Sequence, residues 1–244
     1  MYFWKCWRDN RFRFIGYLTT LTAMGISFTL INVKLNGVQG LWKGPAQLWS
    51  MTAAFVLGAY GSLIISIWAL ALGTASLGEE FQQGTADFLL TRPRRRRYWV
   101  WVGWMAGVCE IAVGALVAAG ATLVTLAFLT GHIFTWRMLI AALPMTVGGA
   151  VVYGLAYLMT LVARSGRQGL SYSLGIMFIH LSLPVVANKY WHVHIPYVLE
   201  FVTNACKAIA DVSGHFPLGV LVGWTLVAVA FPLATQVLLE RAEA

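Results

Sequence analysis

Of 244 residues, 59% are apolar and 11% are charged, and the mean hydropathy is +0.72. Soluble domains carry about a quarter of their residues as charges, so this composition excludes an ordinary soluble protein and indicates an integral membrane protein. The net charge of +8 comes from bases that flank apolar runs and do not line one soluble face; this argues against nucleic acid as a partner and for anionic lipid headgroups.

The chain opens on "MYFWKCWRDNRFRF", which as a helix puts Phe3, Trp7 and Phe14 on one face and Lys5, Arg8, Asp9 and Arg13 opposite. Residues 1–13 therefore read as an interfacial segment or as a basic leader that sets topology. They lack a short apolar core with a small-residue cleavage site, so no cleavable signal peptide is expected.

Six apolar runs of about 20 residues or more follow, each long enough to cross roughly 30 Å of hydrocarbon as a helix. They cover 14–33, 51–75, 99–129, 138–163, 168–187 and 217–239. None shows the alternating pattern of barrel strands, and a lone span must satisfy its backbone internally, so all six are expected to be helices. Pro144, Pro184 and Pro232 are expected to kink their spans. Gly16, Gly25, Gly58 and Gly61 are small enough to let helices approach closely, including those of a second copy.

Between spans two and three, "GEEFQQGTADFLLTRPRRRRYW" holds three of the nine acids and five of the seventeen bases. Gly84 should break the helix leaving span two, Thr85 can cap a new one with Asp87 in its first turn, and Pro93 should end it. The resulting short helix carries Phe81, Phe88, Leu89 and Leu90. That is too apolar for a free loop and too little for a core, so it suits the groove of another protein or an interfacial hairpin.

Spans three and five each carry one ionisable residue, Glu110 and His180. Both lie about twelve residues from the start of their span, or roughly 18 Å deep at 1.5 Å per residue. A charge at that depth is costly and usually faces a partner or a wet cavity. The two therefore read as the lining of a substrate path or as a structural pair.

Between spans five and six, Val198, Phe201, Val202, Ala205 and Ile209 recur at helical spacing, with Pro196 suited to a first turn. This predicts a short amphipathic helix closing one face of the bundle. His192 and His194 make a His-x-His with no third ligand at a diagnostic spacing, so no metal site is expected. Cys6, Cys109 and Cys206 form no disulfide framework.

With the N-terminus inside, twelve bases fall on the cytoplasmic side (Lys5, Arg8, Arg11, Arg13, Arg92, Arg94, Arg95, Arg96, Arg97, Arg164, Arg167, Arg241) and five outside (Lys34, Lys43, Arg137, Lys189, Lys207). Positive residues favour the cytoplasmic side. The expected fold is thus an all-α membrane protein of one domain over 1–244, with both termini and the charged loop of 76–98 cytoplasmic and the amphipathic helix extracellular.

The loop resembles the membrane subunit of ATP-binding-cassette exporters of the ABC type-2 permease family. The resemblance rests on Glu79, Glu80, Gly84, Thr85, Asp87, Leu89, Leu90, Thr91, Pro93 and Arg96, set between the second and third of six spans. It departs from the family pattern at Gly103-Trp104, where Gly-Lys is common, and in its run of arginines. The resemblance implies a multi-pass protein of the plasma membrane, in a prokaryote the inner membrane. It also implies a coupling helix that docks on a separate ATPase subunit, a second permease copy or sister permease, and ATP with magnesium on the partner. No cofactor is expected in this chain, which has no Gly-x4-Gly-Lys-Ser/Thr to cradle phosphate. Two readings stay open beside the permease: a six-span membrane enzyme using Glu110 and His180, and a non-catalytic membrane anchor or assembly subunit.

Overall fold

The computed structural model describes residues 2–39, 48, 51–82, 96–131, 137–210 and 216–241. Helix is the only regular structure among them, and six helices are long and apolar enough to cross a membrane. In chain order they are α1 (Tyr2–Gln39), a π-helical segment (Ala53–Gly61) running into α2 (Ser62–Gln82), α3 (Arg96–Thr130), α4 (Arg137–Ile140) leading into α5 (Ala142–Ala163), α6 (Gly166–Trp191), and α8 (Leu218–Arg241). The shorter α7 (Val198–Ala210) lies between the last two spans.

Several boundaries differ from the sequence expectation. α1 runs unbroken from Tyr2, so the N-terminal basic segment and span one form one helix. Span two begins as a π-helix of nine residues, in which the wider turn lets Gly58 and Gly61 face neighbouring elements. Span four is interrupted at Ala141, whose N–H turns back to the carbonyl of Met138 (3.1 Å). The cause is Pro144, which has no N–H to offer the carbonyl of Ile140, so it occupies the first turn of α5 where no such donor is needed. Pro184 and Pro232 lie inside α6 and α8.

α5 is the hub: it packs against α2, α3, α6, α7 and α8. It is 67% buried over its apolar stretch, against 22% for α6 and for α8, which leaves those two as the peripheral, lipid-ready spans. α3 lies between α1 and α5. With no hydrophobic drive between helices in lipid, such packing depends on close backbone approach and small residues, and the glycines supply it. A Cβ at Gly73 would stand 2.7 Å from Ala156 of α5, and one at Gly149 of α5 2.7 Å from Ile65 of α2 and Ile111 of α3. Gly25 faces Ala118 and Thr122 of α3 at 3.2–3.3 Å, Gly58 faces Thr203 of α7, and Gly61 faces Met145 of α5. These three glycines, expected to serve contacts with a second copy, are spent inside the chain.

The path of the chain sorts the helix ends into two sets. The entry to the charged loop, its exit, the α5–α6 turn and the end of α8 share one end of the bundle. The start of α2 and α7 belong to the other. The contact of Arg97 with Glu240 at the first end and of Gly58 with Thr203 at the second agrees with this sorting.

Candidate functional site

The two helix ends that carry the charged loop are each held by a distinct device. On the entry side, α2 crosses the start of α6 at Gly78 and Gly166, where a Cβ on Gly78 would sit 2.7 Å from the Cα of Gly166. That crossing follows a tight turn in which Arg164 takes the left-handed conformation (φ 49°) and donates its N–H to Leu161. Phe81, one of the expected interface residues, is half-buried against the core. Glu79 and Glu80 belong to the last turns of α2. On the exit side, α3 starts at Arg96, and a chain of polar side chains ties it to α8. Arg97 Nε donates to Glu240 Oε1 (2.9 Å), Gln236 Nε2 to the same oxygen (3.1 Å), and Trp101 Nε1 to Gln236 Oε1 (3.2 Å). With Arg97 72% and Glu240 45% exposed, the ion pair is screened by solvent, and this chain fixes orientation more than it stabilises. Gly84, Thr85, Asp87, Phe88, Leu89, Leu90 and Pro93 lie outside the described residues.

Glu110 lies in a packed seam, only 4% exposed. Along α3, Gly103, Gly107, Glu110 and Gly114 fall on one face, at spacings of four, three and four. Each glycine seats a tyrosine ring. Gly103 meets Tyr157 and Gly107 meets Tyr153, both from α5, while Gly114 meets Tyr17 from α1. Tyr153 donates its hydroxyl to the carbonyl of Gly103 (3.1 Å). Tyr17 Oη and Glu110 Oε2 are buried with no hydrogen-bond partner, two orphaned polar groups at the α1–α3 seam. The stripe was readable in the sequence as "GWMAGVCEIAVG", whereas nothing in it assigned Tyr17 to the seat at Gly114.

His180 belongs to a different neighbourhood. Its Nε2 accepts the N–H of Val198, the first residue of α7, at 3.1 Å, and its ring meets Trp224 of α8 edge-on. Among the described residues neither a hydrogen bond nor an ion pair joins Glu110 to His180. The structural-pair alternative is thus not realised. Replacing each by Gln should therefore change stability additively, to within about 0.5 kcal/mol; a larger coupling in thermal unfolding of the double variant would contradict this geometry.

The expected face of α7 is buried: Val198, Phe201, Val202, Ala205 and Ile209 all point into the bundle. Val198 and Val202 pack on Gly148, one to two turns into α5, whereas Cys206 Sγ lies 3.7 Å from the carbonyl of Ala141, at its start. α7 thus begins level with His180, eleven residues or about 16 Å below Trp191, and climbs back towards the bundle end. It re-enters the bundle and does not lie across it. Pro196 stands just ahead of the helix, where the carbonyl of Tyr197 accepts the N–H of Phe201 (2.9 Å). Cys206 is fully buried against the carbonyl of Ala141 and acts as a packing group.

Among the described residues no group of three or more His, Cys, Asp or Glu side chains is placed to hold a metal ion. Compared with known protein families and with curated proteins, the chain matches none.

Proposed function

We propose that this chain is the permease subunit of an ATP-driven exporter, built into the cell membrane with both termini and the charged loop on the cytoplasmic side. Two permeases, identical or sister chains, and two ATPase subunits complete the unit, and ATP with magnesium binds on the ATPase. The observation that carries the proposal is the loop itself: the motif of Glu79 to Arg96 hangs between two helix ends that are separately anchored, one to α6 and one to α8. A load on such a loop is delivered to the two most peripheral spans, a suitable arrangement for a soluble motor that moves membrane helices.

The substrate route in this reading runs between permeases, because the interior between α1, α3 and α5 is filled by the tyrosine–glycine seats. Glu110 then acts at the α1–α3 seam and not as the lining of an open path. Native mass spectrometry of the complex purified from its own membranes is expected to show two permeases with two chains carrying Gly-x4-Gly-Lys-Ser/Thr. A particle with one permease and no such chain would favour the membrane enzyme or the anchor subunit.

A further inference from the structure

A hydrogen bond between α6 and the backbone of α7 uses an imidazole nitrogen as acceptor. Only an unprotonated ring nitrogen can accept, so this contact requires neutral His180. The bond lands on the first N–H of α7, where a helix presents its positive dipole end, so a protonated ring would both lose the bond and place a cation against that end. The same ring closes an aromatic row that grips the helix, with His180 against Trp224 (centroids 6.4 Å apart) and Trp224 stacked on Phe201 of α7 (5.5 Å).

The segment beside the ring is exposed. Residues 192–197 descend from Trp191 to the level of His180 without regular structure, and His192, Val193, His194 and Pro196 are exposed. Open backbone at such a depth is tolerated only against protein or water, not against lipid. His180 itself is half-buried.

We propose that His180 is a pH-sensitive latch on the first turn of α7: the neutral ring fixes that turn and the protonated ring releases it, while the rest of the helix stays packed on the π-helical segment and α5. This inference is independent of the transport reading. The docked form needs the neutral ring, so docking is strongest where the imidazole is unprotonated and weakens as falling pH protonates it. Other titratable groups lie near α7. His194 Nε2 and Glu200 Oε1 pair at 3.4 Å beside its start. Lys207 is near the far end of α7, Lys189 and His192 are at the end of α6, and the α8 residue against His180 is the neutral Trp224.

The test is peptide-resolved deuterium exchange over 198–210 of the full chain in nanodiscs, at pH 7.5 and 5.5, corrected for the intrinsic pH dependence of exchange. Wild type should lose protection roughly tenfold at the lower pH, the size of one lost hydrogen bond plus an unfavourable helix-end charge. His180→Gln, a neutral acceptor that does not titrate, should keep the same protection at both values. A variant with His192→Gln and His194→Gln should respond as wild type does. Unchanged protection in wild type would overturn the latch without any variant, and so would an equal pH response in His180→Gln.

Discussion

If the chain is the proposed permease, replacing Phe88 and Leu89 together with Asp is expected to abolish association with the proposed ATPase subunit while leaving insertion, expression and the six-span topology intact. Buried apolar anchors dominate the affinity of a helix docked in a groove, and truncating such residues costs about 2 kcal/mol or more each. A carboxylate placed in the same groove adds a desolvation penalty, so the double substitution should remove binding and not merely weaken it. Among the described residues the spans are held by the seats of Tyr17, Tyr153 and Tyr157, the Gly78–Gly166 crossing and the Arg97–Glu240 chain. Pull-down of the ATPase together with a topology assay reads both arms. Full ATPase recovery with the double variant would remove the loop from the interface.

The second large effect is expected at the glycine seats. A Cβ on Gly114 would lie 2.2 Å from Cε1 of Tyr17, and one on Gly107 2.2 Å from Cζ of Tyr153. Neither ring can slide, because both tyrosines are fully or almost fully buried. Overpacking of this kind costs about 1–3 kcal/mol or more, so Gly114→Ala should lower the apparent melting temperature by roughly 5–10 °C. In the Gly114→Ala background, Tyr17→Leu should recover part of the loss, since the smaller side chain vacates the seat, although the same change in the wild type opens a cavity. Neutral behaviour of Gly114→Ala in thermal unfolding would contradict the seating of Tyr17. Gly120, whose added Cβ meets nothing within 4 Å, is the internal control on the same helix and should accept Ala without loss.

These residues also mark where the sequence was legible. The six spans are visible because each must bury its own backbone hydrogen bonds over about 20 apolar residues, a constraint written in composition. The buried face of α7 is visible because Val198, Phe201, Val202, Ala205 and Ile209 follow the helical period. What the sequence does not carry is which face meets which helix. α3 is apolar all round, so the stripe of Gly103, Gly107, Glu110 and Gly114 announces a close contact without naming Tyr17, Tyr153 and Tyr157 as its occupants. The depth of α7 is hidden for a similar reason: amphipathicity fixes the buried side of a helix but not its height along the bundle, which is set by the bond from Val198 to His180 and the fit of Val202 on Gly148. Glu110 and His180 share a depth in sequence, yet they face different helices, and only the packing separates them.

In the proposed transporter the charged loop is the grip of an ATP-driven motor. The most direct test of this grip is photocrosslinking in native membranes, with a photoreactive amino acid placed at Phe88 and, as a control, at Phe178, which is 73% exposed on the peripheral span α6. The probe at position 88 is expected to capture a chain bearing Gly-x4-Gly-Lys-Ser/Thr, and the probe at 178 to capture none. Capture of no such chain from position 88, in cells where the protein is inserted and stable, would contradict it.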